Sequence, residues 1–264
     1  MSTRLIIPLI IIALLAFCSC EKDRPVKFDL EYSTFTDSRD GYEYKTVTID
    51  GTTWLAENFR YLPAVDGNDV DTVSFDGPRY YVYNYNGTDV NEAKATDEYK
   101  KYGVLYNYEA AEKSCPDGWH LPTKDDFAKL IKSINNDKAD KYGNYEFYTT
   151  VMLCGDRELW GLSDSTHILL NVSGLGFVPG GIMQPDYFYE ETPQGYEQRD
   201  SVKFKDLGIY CFVWEKKRGR EKDYLSGWTI RHDTTPMTQI DFRMEEYVSN
   251  ISKNCGLSVR YVKD

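Results

Sequence analysis

Beyond position 20 the chain carries four cysteines, Cys115, Cys154, Cys211 and Cys255, and three histidines, His120, His167 and His232. A thiolate can attack an electrophile, ligate zinc or pair as a disulfide. Zinc sites use short ligand spacings, and no Cys-x-x-Cys or His-x-x-x-His run occurs. Nucleophilic catalysis needs a nucleophile, a base and an orienting group, and no neighbouring motifs supply that set. An even cysteine set in an exported chain allows two disulfides, with the connectivity open. Gln184-Pro185-Asp186, with Glu190 and Glu191 nearby, offers oxygen ligands. Calcium takes about six to eight of them, so a solvated acidic loop is the simpler reading. No metal, no cofactor and no catalytic residue is expected.

Cys20 has a different chemistry. Arg4 supplies a positive start, and Leu5 to Phe17 forms an apolar run interrupted by Pro8. The run is too short for an ordinary membrane span and has the size of a signal-peptide core. Ser19 places a small residue before Cys20, whereas the rival Cys18 follows bulky Phe17. The leader resembles bacterial lipoprotein signals, which implies removal of residues 1–19 and a lipid on Cys20. The expected location is the cell envelope, lipid-anchored in the outer membrane and facing the periplasm or the surface. The membrane is then reached through the lipid alone.

With 31 basic and 42 acidic residues the net charge is −11. Nucleic acid and anionic lipid surfaces reward basic patches, so this balance argues against both. Residues 20–36 are polar and lack a clear period, as expected of a tether. The alternating run Glu43–Ile49, then Asp50-Gly51, then Thr52–Ala56 is a hairpin signal. Residues 62–101 are rich in Asp, Asn, Gly and Tyr and read as a long surface insertion. Two short helices follow. Residues 107–114 contain good helix formers without a breaker. In the second, Thr123 is the N-cap, Asp125 and Asp126 suit the first turn, and Phe127, Leu130, Ile131 and Ile134 make an apolar stripe. Short strands and glycine turns complete the chain, ending in an alternating strand at residues 256–262 that belongs inside a sheet. The class is α+β.

Five blocks carry a resemblance. They are Tyr44-Lys45-Thr46-Val47 with Trp54-Leu55-Ala56-Glu57-Asn58, Gly103-Val104-Leu105-Tyr106-Asn107, Cys115-Pro116-Asp117-Gly118-Trp119-His120-Leu121-Pro122-Thr123, residues 174–181, and residues 256–264. In this order they resemble the Fibrobacter succinogenes major paralogous domain, with residues 37–264 as one domain. The resemblance implies an exported protein with a C-type lectin-like fold: two short helices, small mixed or antiparallel sheets and long loops. It implies a fold more than an activity. The family's last strand usually has cysteine where this chain has Tyr261, and lacks the cysteine seen here at Cys255. That departure suggests a relocated Cys115–Cys255 bond, leaving Cys154 with Cys211. Some C-type lectins hold calcium with Gln-Pro-Asp and a later Trp-Asn-Asp, a triplet this chain lacks.

His120 then reads as a structural polar contact. The functional expectation is a non-enzymatic module binding a glycan or protein, with a structural subunit of a surface appendage or envelope complex as the alternative. Tyrosine stacks with its ring while its hydroxyl stays hydrogen-bonded, a combination suited to contact surfaces. Tyr81 and Tyr83 in the insertion and Tyr187 and Tyr189 after the Gly-Gly turn are the candidate ligand-binding residues.

Overall fold

Asp50 and Gly51 both adopt left-handed backbone geometry, with φ of 48° and 73°. A two-residue hairpin turn needs that geometry to match the twist of its strands, and Asp-Gly tolerates it. The turn joins β2 (Glu43–Ile49) to β3 (Thr52–Leu55), as the sequence indicates. The computed structural model that contains this hairpin describes residues 30–68, 75–135, 154–162, 170–216, 224–234 and 240–264. Cys20 and the leader lie outside the described residues, as does His167.

The tether boundary needs correction. Glu31–Thr36 forms β1, paired antiparallel with β2 from Glu31 opposite Thr48 to Thr36 opposite Glu43. Its side chains are mostly exposed, and Phe35 alone turns inward, against Trp119 and Tyr44. An edge strand with one inward ring has no apolar alternation to betray it.

The first sheet continues to β12 (Val262–Lys263) and β6 (Trp119–His120) in the order β1-β2-β3-β12-β6. Val262 lies between Trp54 and His120, so the C-terminus is pinned beside the first hairpin, as expected. The second sheet has the order β11-β10-β9-β7-β8, from β7 (Gly180–Thr192), β8 (Gly195–Leu207), β9 (Tyr210–Trp214), β10 (Tyr224–Thr234) and β11 (Ile240–Ser252). A two-stranded ribbon pairs β4 (Tyr80–Tyr81) with β5 (Leu105–Tyr106).

The two expected helices are present. Asn107 caps α3 (Tyr108–Lys113) by accepting from the Ala110 amide. In α4 (Lys124–Asn135), Thr123 Oγ1 accepts from the Asp126 amide at 3.2 Å, and Asp126 Oδ2 accepts from the Thr123 amide at 2.8 Å. This reciprocal pair is a capping box closed by aspartate. Phe127, Leu130 and Ile134 bury the stripe, with Phe127 stacked 4.6 Å from Trp228 and tilted 5.4 Å from Trp54.

The 62–101 segment is not a plain surface insertion. Leu62, Val65, Tyr80, Tyr81 and Val82 are buried, and two further helices form, α1 (Val90–Ala95) and α2 (Asp97–Tyr102). Asp89 and Thr96 cap them through side-chain oxygens, and Gly103 ends α2 at φ 79°. Polar composition concealed these helices, although their caps are readable.

The C-terminal segment also differs. Residues 255–262 are buried throughout rather than alternating, including Ser258 and Arg260. They bridge in turn to Met183, Tyr106 and Val213, tying both sheets and the ribbon together. The class is α+β.

Candidate functional site

Most of the sequence blocks converge on Arg260. Its Nε donates to Asn58 Oδ1 at 3.0 Å, and Nη1 donates to the carbonyls of Leu55 at 3.0 Å and Leu175 at 2.6 Å. Nη2 donates to the Gly176 carbonyl at 2.8 Å, and the guanidinium sits 4.5 Å from the Phe177 ring centre. Asn58 donates onward to the Tyr102 carbonyl and Ser258 Oγ. Gly176 takes φ 59°, and an added Cβ would press the Ala56 carbonyl at 3.1 Å. Burial lowers the Arg260 pKa to about 10, which leaves it charged at neutral pH. The carbonyls and amide engage all three nitrogens, so this hub holds three chain segments together.

His120 occupies a second polar cluster. Its Nδ1 is 2.6 Å from Asp264 Oδ1, and its Nε2 is 3.3 Å from Asp126 Oδ2. Burial opposes ionisation of Asp126, but hydrogen bonds from the Thr123 hydroxyl and amide and from His120 outweigh it. They hold the carboxyl below the usual range. Both ring nitrogens are occupied by carboxylates of the chain itself, so His120 joins the α4 cap to the C-terminus, the structural role expected of it.

The cysteines correct the expected disulfides. All four are free. Cys115 Sγ donates to the Trp119 carbonyl at 3.0 Å and neighbours Tyr261, whose hydroxyl donates to the Ala111 carbonyl at 2.5 Å. Cys255 lies elsewhere, near Ser252 and Tyr81. Positions 255 and 261 would share a face only in an unbroken strand, and residues 255–261 do not form one. Cys154 and Cys211 share a core cluster but remain thiols. Burial pushes Cys115 and Cys211 up to about 12 and Cys255 to about 11, and Cys154 also rises. A thiol so shifted is a poor nucleophile at neutral pH.

The tyrosine candidates divide. Tyr81 is fully buried and its ring belongs to the core, and Tyr83 packs 5.2 Å from Phe204 with its ring almost covered. These two are corrected to core residues: β4 and the chain after it lie beneath β7 and β8, which sequence proximity could not reveal. Tyr187 and Tyr189 are 57% and 61% exposed.

The segment carrying them is not a loop but half of a thirteen-residue-per-strand hairpin, β7 and β8, closed at Thr192 opposite Gly195. Gly181, at φ 67°, allows β7 to leave the core where a Cβ would collide with the Lys205 carbonyl. Residues directly opposite share a face, and alternate residues repeat it. Met183, Val202 and Phe204 on one face pack against Tyr81 and Tyr83. Farther out, the same face presents Tyr187, Tyr189 and Tyr196, the last opposite Glu191 and 72% exposed. The Tyr187 and Tyr189 rings meet edge to face at 5.9 Å. Among the described residues, β7 from Tyr187 outward pairs only with β8, so this part projects as a two-stranded arm.

Tyr196 went unnoticed in the sequence. Pro193-Gln194-Gly195 between two runs of strand character was the available signal, since a turn there sets Tyr196 beside Glu191. On the other face Lys205 donates to Gln184, Lys203 pairs with Asp186 at 3.5 Å, and Arg199 pairs with Glu190 at 2.8 Å. The Gln184 amide oxygen and Asp186 Oδ2 thus meet lysines, and Asp186 Oδ1 accepts from the Tyr187 amide at 3.0 Å.

No curated protein and no solved structure matches the chain. The Fibrobacter succinogenes major domain matches residues 47–263, which takes in β2 from Val47, the Asn58 and Arg260 hub and the arm. The chain belongs to the Fibrobacter succinogenes major domain family.

Proposed function

We propose that this chain is a lipid-anchored, non-enzymatic binding module of the cell envelope, with a C-type lectin-like domain that contacts a glycan or protein through the β7–β8 arm. The observation that carries the reading is the outer end of the arm, where Tyr187, Tyr189 and Tyr196 lie exposed on one face. Grouped exposed rings of this kind mark contact surfaces, because each supplies a large area at low side-chain entropy cost. The absence of a catalytic role is supported by the carboxylates on both nitrogens of His120 and by thiols raised far from neutrality. Anchoring rests on Cys20 and its leader.

Pulldown from solubilised envelope tests the reading, using the wild-type domain and a Tyr187→Ala/Tyr189→Ala/Tyr196→Ala variant as baits. A component retained by the first and lost by the second supports it. Equal recovery by both, with the variant folded, refutes the arm as the contact surface. The assembly-subunit alternative is favoured by β1 and β8, which are edge strands among the described residues and to which another copy can add a strand. It predicts a defined oligomer by light scattering, and a concentration-independent monomer removes it.

A further inference from the structure

The charge on the arm is sorted by face. All its cations, Arg199, Lys203 and Lys205, project on the side opposite the three tyrosines, where Glu190, Asp186 and Gln184 engage them. The tyrosine face carries Glu191, Gln198 and Asp200. Among the described residues no cation pairs with Glu191 or Asp200; Asp200 only accepts from Gln198 at 3.4 Å. The ring face is therefore a strip of aromatic rings edged by uncompensated carboxylates.

Both components favour the same ligand charge. An aromatic ring is negative over its face and attracts a cation placed there, and a carboxylate does so by direct Coulomb attraction. An acidic polysaccharide is repelled by the same edge, and a neutral glycan gains nothing from having every cation placed on the far side. The shape limits the occupant as well. Five exposed residues, Tyr187 to Glu191, span about 17 Å at ~3.4 Å per residue, and the ribbon is two strands wide. A standard protein interface covers about 800 Å² on each side, more than such a face provides.

We infer that the tyrosine face of the arm takes an extended, cationic protein segment, with arginine or lysine side chains seated over Tyr187, Tyr189 and Tyr196 and paired with Glu191 and Asp200. This rests on the arm being the contact surface and names the class of its partner.

The test is fluorescence polarisation with two labelled probes, an alternating Ala-Arg hexapeptide and a neutral glucose hexasaccharide. The account expects the peptide to bind and the sugar not to. Glu191→Gln/Asp200→Asn should weaken the peptide about fivefold, the effect of two exposed ion pairs. Glu109→Gln/Glu112→Gln, which removes equal charge from α3, should leave it unchanged. Equal weakening by the α3 pair shows attraction to bulk negative charge and overturns the inference, as does no peptide binding at millimolar concentration. If the sugar binds and only the triple tyrosine variant loses it, the contact surface stands and the cationic partner falls. If neither probe responds to the triple variant, the contact surface falls too.

Discussion

Arg260 Nε donates to Asn58 Oδ1 at 3.0 Å, joining residues 202 positions apart near the two ends of the domain. The bond belongs to a guanidinium with no carboxylate partner among the described residues, held by three carbonyls, an amide and the face of Phe177. Fixed acceptors and an aromatic face replace water around it, so the charge is tolerated at complete burial.

Replacing Arg260 exposes what it satisfies. Arg260→Leu leaves the carbonyls of Leu55, Leu175 and Gly176 without their donors, and each buried orphan costs about 1–3 kcal/mol. Denaturant titration should show a loss of at least ~3 kcal/mol or failure to fold, and Arg260→Lys should rescue only part, since one ammonium cannot reach all the acceptors. An unchanged midpoint in Arg260→Leu would show that the hub is dispensable.

Tyr81 and Tyr187 should separate cleanly. Tyr81→Ala opens a core cavity and should cost about 3–5 kcal/mol, while Tyr187→Ala, Tyr189→Ala and Tyr196→Ala should each move stability by less than about 0.5 kcal/mol. Tyr81→Phe is the sharper probe, because the Tyr81 hydroxyl is buried without a hydrogen-bond partner among the described residues and its removal should leave stability level or higher. Thermal melts of the five variants check this.

What the sequence makes legible is local. The Asp50-Gly51 turn, the short helix within residues 107–114 and the Thr123 cap with its apolar stripe are each written within a few residues, and each forms as read. Arg260 in an apparently alternating strand looks exposed, because its acceptors lie up to 205 residues away and leave no periodic mark. Tyr81 and Tyr187 both stand among further tyrosines and polar residues, and only the packing of β4 under the arm separates core from surface. The departure at Tyr261 was legible, but its consequence was not: the hydroxyl makes its own bond to Ala111, and Cys115 stays a thiol.

The thiols give a direct check. Native protein at pH 7.5 should resist iodoacetamide at Cys115, Cys154, Cys211 and Cys255, and all four should react after denaturation without reductant. A Cys115–Cys255 peptide in a non-reducing digest would contradict the free-thiol structure.

Acid should weaken the domain in a defined window. Asp126 and Asp37 both lie below the ordinary carboxylate range: burial opposes this in each, and hydrogen bonds from Thr123 and from Arg39 outweigh it. Since their folded pKa values are depressed, their stabilisation is present above about pH 4 and is lost as pH falls through the lower folded values. Asp126→Asn should flatten stability against pH below about 4, and Thr123→Ala should cost about 1 kcal/mol at pH 7 through the cap. An unaltered acid limb in Asp126→Asn would assign the acid sensitivity elsewhere.

The arm as contact surface is tested most directly by photo-crosslinking in intact cells. A benzophenone side chain placed at Tyr196, at the exposed end of the ring face, should capture a discrete envelope component, and the same group at Glu109 on α3 should not. Capture from Glu109 with none from Tyr196 would contradict the account.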